Sequence, residues 1–136
     1  RVYAGVRKFI EETKESARRD RYVTTMLGRR RFVGEINSAN ANQRWMAERI
    51  AVNMPIQGTS ADMIKIAMIN TANRLQKEQM RSKMILQVHD ELILDCPEDE
   101  IEKMTELVQE EMAGALPLEV PVKVDVATGE SWADCK

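Results

Sequence analysis

The sequence predicts an α+β fold in which helices pack on one face of an antiparallel sheet. Three patterns support this prediction: apolar residues at helical spacing in three long segments, two pairs of short apolar runs that flank tight turns, and an alternating apolar–polar segment near residue 120. Because 43% of the 136 residues are hydrophobic, the chain can form an ordered core.

The first third predicts a helix followed by a hairpin. Residues 2–20 repeat apolar positions along one helical face, and YVTTMLGRRRFVG has the pattern of two strands that turn near Leu27 and Gly28. Glycine adopts the positive φ of such a turn without steric cost. The helical face consists of Val2, Val6, Phe9, Ile10, Thr13 and Ala17.

The middle third predicts an interrupted helix. Its start lies in NSANANQ, where Ser38, Asn40 or Asn42 can cap the first turn. We expect Pro55 and Gly58 to kink or break it, and the pattern resumes at Asp62 and runs to about residue 79. This second part has a broad apolar face, which predicts deep burial: Met63, Ile64, Ile66, Ala67, Met68, Ile69, Ala72 and Leu75.

The last third predicts a hairpin, a helix and a strand. The hairpin covers about residues 84–95, and Pro97 with the acidic residues 98–100 is typical of a helix N-terminus. The inward face of that helix comprises Ile101, Met104, Leu107, Val108 and Met112. LEVPVKVDV alternates, with Val120, Val122, Val124 and Val126 on one face, which predicts a strand with one buried side.

Composition limits the classes of function. Residues 1–50 contain 12 Lys+Arg and 6 Asp+Glu, whereas residues 51–136 contain 8 and 16, so the halves carry net charges of +6 and −8. A basic half suggests contact with a polyanion, although an uneven solvated surface has the same composition. Two cysteines without CxxC spacing argue against a disulfide framework or zinc site and fit a reducing compartment, and no apolar run is long enough to span a bilayer.

The hairpin tip carries His89, Asp90 and Glu91, where Asn-Gly or Asp-Gly would turn more easily. Two carboxylates that converge at a turn can ligate Mg²⁺, which prefers oxygen ligands and keeps several waters. A polar turn in solvent is the alternative.

Three hydrogen-bond donors follow one another at i, i+4 and i+8 in AERIAVNMPIQGTSAD: Arg49, Asn53 and Gln57. On a helix they form a row that can follow acceptors in the DNA minor groove, which are similar whichever way a base pair is oriented. A polar helix face in water is the alternative. Arg29, Arg30 and Arg31 can bind phosphates, although a solvated charge run is the default and at most Arg29 and Arg31 share a face.

The motifs LGRRRFVGEI, AERIAVNMPIQGTSAD, MILQVHDELILD and VPVKVDVATGESW, in this order, resemble the C-terminal part of the family A DNA polymerases of the bacterial DNA polymerase I type. The resemblance covers essentially the whole chain. It implies that residues 1–136 form the C-terminal part of a right-hand polymerase domain. About 1–54 would complete the fingers and return helix, and about 55–136 would form a palm-type antiparallel sheet with packed helices.

The resemblance also implies roles for individual residues. Asp90 would bind catalytic Mg²⁺, Glu91 would help form the metal site, and His89 would lie near the primer terminus. Arg49, Asn53 and Gln57 would contact the minor groove of the primer–template near the new base pair. Arg29, Arg30 and Arg31 match a basic stretch near the fingers–palm junction, which makes them candidates for DNA binding without a specific role.

The implied activity is template-directed DNA synthesis in replication or repair, in which a primer 3′-hydroxyl attacks a dNTP with two Mg²⁺ ions. Primer–template DNA and dNTP would be the partners of a monomeric enzyme without membrane contact, most commonly in a bacterial cytoplasm, with phage and organelle origins open. The family's second catalytic aspartate and triphosphate-binding helix are not in the sequence. We therefore expect a fragment that is inactive by itself. A non-catalytic nucleic-acid-binding module and a generic α+β interaction domain are the competing classes.

Overall fold

The computed structural model describes residues 3–135 and confirms a mixed α+β fold. Two separate two-stranded antiparallel sheets form, β1 with β2 and β3 with β4. None of the helices in this range is long and apolar enough to cross a membrane. The helices and strands are α1 (Ala4–Asp20), β1 (Tyr22–Thr24), β2 (Arg30–Phe32), α2 (Ala41–Lys77), β3 (Lys83–Val88), β4 (Glu91–Asp95) and α3 (Ile101–Ala113).

The chain divides into two compact units, Arg1–Asp62 and Met63–Lys136, and α2 contributes to both. The division predicted near residue 54 lies earlier on the same helix. Because the units are defined by compactness alone, the assignment of residues 1–54 and 55–136 to fingers and palm stays a prediction.

In the first unit, α1 and the first hairpin form as predicted. The hairpin pairs Val23 with Arg31, and Gly28 has φ +79° at its turn. Of the predicted apolar face of α1, Ala17 is buried, Val6 and Phe9 are exposed, and Val2 lies outside the described residues. The core of the unit consists of Ala17, Val23, Val33, Ile36, Ala47, Ala51 and Met54.

The second helix begins as predicted but does not break. The Asn40 side chain accepts a hydrogen bond from the Asn42 N–H at 2.9 Å, which caps α2. The predicted break at Pro55 and Gly58 is wrong, because α2 is continuous from Ala41 to Lys77, and the kink that was the alternative stays a prediction.

The first hairpin packs against α2 just after Pro55. The Thr59 hydroxyl donates to the Pro55 carbonyl at 2.5 Å and accepts from the Met26 N–H at 3.0 Å. A Cβ on Gly58 would lie 2.6 Å from Thr25 Cγ2, so this glycine lets the hairpin approach the helix.

In the second unit, α3 packs as predicted. Its buried residues Met104, Leu107 and Val108 form a core with Leu75 of α2, and Met80, Leu94, Cys96 and Met112 pack against it. The predicted deep burial of α2 is only partly correct. Ile64, Ala67 and Leu75 are buried, but Ile69 is 61% exposed and Ala72 is also exposed, because the apolar face is wider than the surface that this unit covers.

The strand predicted for LEVPVKVDV is wrong. Val122 and Val124 are half-buried, but Val120 is 66% exposed, and no strand forms in this segment. A strand needs a hydrogen-bonded neighbour, and among residues 3–135 the strands β3 and β4 pair only with each other. Pro121 removes one backbone donor as well.

Glu100 connects the start of α3 to the chain before β3. Its carboxylate accepts hydrogen bonds from the Ser82 hydroxyl at 2.5 Å, from the Ser82 N–H at 2.9 Å and from the Arg81 N–H at 3.0 Å. The Ser82 hydroxyl makes the largest contribution to lowering the pKa of Glu100 from 4.5 to about 2.

This lowered pKa predicts a specific loss of stability in acid. The contribution of Glu100 is complete above about pH 4.5 and is lost as the pH falls from there towards 2, because over this range the unfolded chain takes up a proton that the hydrogen-bonded carboxylate of the folded chain does not. We expect Glu100→Gln to flatten the dependence of unfolding free energy on pH in this range. The control is Glu102→Gln, since Glu102 is exposed and pairs with no described residue. Equal slopes for the two variants would contradict the prediction.

Candidate nucleic-acid interface and acidic hairpin tip

Arg49, Asn53 and Gln57 lie on one exposed face of α2. Because the helix continues through Pro55, their i, i+4 and i+8 spacing is that of regular helix, with about 12 Å between the first and last residue. No described residue accepts a hydrogen bond from any of the three side chains. The row therefore has unused donors.

A cleft of about 300 Å³ runs beside this row. Arg31 of β2 borders it from the hairpin side, and its guanidinium also makes no hydrogen bond to a described residue. The remaining wall is apolar. The cleft is lined by Arg31, Met46, Arg49, Ile50, Asn53, Met54 and Gln57.

The three consecutive arginines have different surroundings. Arg29 donates to the Asp62 carboxylate at 2.7 Å and to the Gly58 carbonyl at 3.0 Å, so it fastens the hairpin to α2 and has fewer donors left for a nucleic acid. Arg30 stacks on the Tyr22 ring with its Cζ 4.7 Å from the ring centroid. Of the three, Arg31 is the one that lines the cleft.

The second hairpin turns at His89 and Asp90, since Val88 pairs with Glu91. The Gln87 side-chain amide donates to the His89 carbonyl at 2.6 Å, which ties the turn to its own strand. Asp90 is the second turn residue and Glu91 the first residue of β4, so the carboxylates stand next to each other at the tip.

His89 has φ +53°, whereas Asp90 does not have a positive φ. A positive φ at the first of two turn residues is the position where glycine is usual. A side chain in this region costs about 1 kcal/mol. His89 thus adopts a conformation in which a glycine would be relaxed, as Arg21 and Gln79 also do elsewhere in the described chain.

The tip can supply part of a metal site. His89, Asp90 and Glu91 are all exposed, and residues 3–135 contain no cluster of three or more His, Cys, Asp or Glu side chains that could hold an ion. Mg²⁺ is commonly bound by one or two carboxylates together with waters and substrate phosphates. Asp90 and Glu91 therefore fit a partial ligand set.

Sequence reasoning did not identify two residues of these surfaces. Gln87 supports the turn through a contact that only the hairpin geometry creates. Trp45 lies one helical turn before Arg49, and its ring contacts the Arg49 guanidinium. The i, i+4 spacing was a signal that could have connected Trp45 with the donor row.

Comparisons with known proteins identify the family. The model of DNA polymerase family A matches residues 1–134. DNA polymerase I of Bacillus subtilis (strain 168) is 48% identical over 134 residues, which cover 98% of this chain and 15% of that protein. The thermostable DNA polymerase I of Thermus thermophilus is 47% identical over 134 residues, covering 98% of this chain and 16% of the relative.

A solved structure agrees with these matches. It is the POL domain of Pol1 from M. smegmatis in complex with DNA primer-template and dNTP, with a TM-score of 0.95 and 44% identity over 98% of this chain and 24% of that one. The chain spans about 15% of the length of the curated relatives it matches. On this evidence the chain belongs to DNA polymerase family A.

Proposed function

We propose that the chain is the part of a DNA-directed DNA polymerase that grips the primer–template minor groove and supplies carboxylates to the catalytic metal site. One observation carries the proposal: Arg49, Asn53 and Gln57 lie in line on an uninterrupted helix with their donors unused. The complex of the structural neighbour with primer-template and dNTP supports these as the partners. A monomer in the bacterial cytoplasm is part of the same proposal.

The minor groove explains the spacing of the donors. Both orientations of an A·T pair present acceptors there, at A N3 and T O2. Base pairs follow one another at about 3.4 Å, so a row of about 12 Å spans roughly three to four steps. Correct pairs hold their acceptors in similar places, so Arg49, Asn53 and Gln57 can detect pair geometry without reading sequence.

Asp90 and Glu91 would hold Mg²⁺ at the hairpin tip, with His89 near the primer terminus. When bound, Mg²⁺ polarises the phosphoryl group and activates the primer hydroxyl for in-line displacement. The contribution of this chain is to position the two carboxylates. Two paired strands and the hydrogen bond from Gln87 hold the carboxylates at an exposed tip, where their charge stays in water until substrate arrives.

We also expect that the 136 residues alone do not extend a primer, because the family's second catalytic aspartate and its triphosphate-binding helix are not in the sequence. The described residues provide two neighbouring carboxylates at the tip and no third metal-ligating group beside them. The competing class, a nucleic-acid-binding module without catalysis, shares the donor row and differs only in having no metal-dependent chemistry.

The donor row is tested in a full-length polymerase. A suitable protein is a chimera in which this chain replaces the corresponding segment of the Bacillus subtilis relative. Loss of a neutral hydrogen bond costs about 0.5–1.5 kcal/mol, so Asn53→Ala should weaken primer–template binding about three- to tenfold. Arg49→Met removes a charged donor and should weaken it about ten- to a hundredfold.

Fluorescence anisotropy with labelled primer–template measures these affinities. Asn73→Ala is the matched control, because Asn73 is also an exposed asparagine of α2 without a hydrogen bond to a described residue. If Asn53→Ala and Arg49→Met bind as tightly as Asn73→Ala, the row is a solvated helix face and the proposal is wrong.

A further inference from the structure

Trp45 extends the donor row by one helical turn. Trp45 lies four residues before Arg49, which itself lies four residues before Asn53. Residues 45, 49, 53 and 57 therefore follow one another along one face of the same helix. Trp45 is 58% exposed, which is unusual for the largest apolar side chain. The Arg49 Cζ lies 4.8 Å from the centroid of its ring.

Arg49 makes this ring contact while none of its donors is bound by a described residue. A guanidinium that stacks on a ring uses its flat face, whereas its five N–H donors point outward in the plane. An arginine side chain that rotates freely loses rotamer entropy when it binds. A partner that already orders the guanidinium reduces this loss, which is the general effect of preorganisation.

The surroundings favour Trp45 as the partner that orders Arg49. A second cleft of about 340 Å³ borders both residues and is also lined by Lys14, Glu48 and Val52. Glu48 could compete for Arg49, but its carboxylate is bound by Arg18 at 2.7 Å and by Lys14 at 3.5 Å. The Arg18 contact is the main cause that lowers the pKa of Glu48, so this acid stays ionised and engaged with α1.

We propose that Trp45 is a positioning residue for nucleic-acid binding, which holds the Arg49 guanidinium in place so that its donors meet the acceptor edge of a base pair in duplex DNA. This inference rests on the proposed function of the donor row. It adds that Trp45 affects DNA binding by ordering Arg49, and that its aromatic face makes no essential contact with the DNA.

The test uses the full-length chimera and a labelled primer–template duplex. A cation–π contact at an exposed site corresponds to about a two- to fivefold change in affinity, so Trp45→Ala should weaken binding by that factor. Trp45→Phe keeps an aromatic face and should recover most of the affinity, whereas Trp45→Leu, apolar but without a π face, should not.

A double-mutant cycle separates this role from a structural one. In an Arg49→Met background, Trp45→Ala should have no further effect, because there is no guanidinium left to order. Equal weakening by Trp45→Ala in both backgrounds, or equal affinity of the Phe and Leu variants, would overturn the inference. If Arg49→Met itself leaves binding unchanged, the proposed function of the row fails instead. Should Trp45→Ala not fold, the comparison of Phe with Leu decides alone.

Discussion

Replacing Asp90 with alanine is expected to abolish primer extension by the full-length polymerase while primer–template binding is retained. A metal ion that stabilises transferring phosphoryl oxygens contributes several kcal/mol to the transition state, so the loss should reach about 10³-fold or more. Binding should change little, because in the proposal the donors Arg49, Asn53 and Gln57 carry contact with the duplex.

A matched aspartate on the same hairpin provides the control. Asp95 ends β4, is exposed and its side chain makes no hydrogen bond or ion pair with a described residue, so Asp95→Ala removes an equal charge away from the tip. Primer extension and duplex affinity are measured for both variants with Mg²⁺ present. If Asp90→Ala extends primers as fast as Asp95→Ala, the residues VHDE form a turn without a role in catalysis. Membership of the family would then show common ancestry but not this mechanism.

Replacing Leu107 with alanine is expected to cost the chain about 2–5 kcal/mol of unfolding free energy, the usual range for a buried leucine. Leu107 is 1% exposed at the centre of the cluster that joins α3 to Leu75 of α2, and Leu94 of β4 packs against that cluster. Since β4 also carries Glu91, we expect the variant to loosen the hairpin tip.

Leu86→Ala is the control, because it removes the same side-chain atoms from a position that is much less buried than Leu107. Leu86 is 47% exposed on β3, so Leu86→Ala removes little buried surface and should cost less than about 1 kcal/mol. Urea denaturation gives both values, provided that the slope with denaturant concentration is unchanged. Similar costs at the two sites would mean that the cluster around Leu107 does not hold this unit together.

Local physical chemistry made much of the fold predictable. Asn40 caps α2 because its side chain reaches a backbone N–H two residues on, and Gly28 turns the first hairpin because it alone among neighbours lacks a Cβ. The inward stripe of α3 follows from helical spacing alone. Each of these features depends on residues close together in the chain, which is why the sequence sufficed.

The candidate site was only partly predictable for the same reason. The row of Arg49, Asn53 and Gln57 follows from spacing, but whether it is continuous depended on Pro55, and local propensity predicted a break there. The different surroundings of Arg29 and Arg31 depend on Asp62 and on the cleft along α2, which lie far away in sequence.

The sequence by itself determined the α+β class, both hairpins, the region in which α2 begins and the grouping of His89, Asp90 and Glu91 at a turn, because all of these arise from contacts within a few residues. The tertiary structure alone decided that α2 passes through Pro55 and that residues 118–126 form no strand. Next to Pro55 the helix contacts a hairpin some thirty residues earlier, and a strand depends on a neighbour, so neither feature can be read from the local segment.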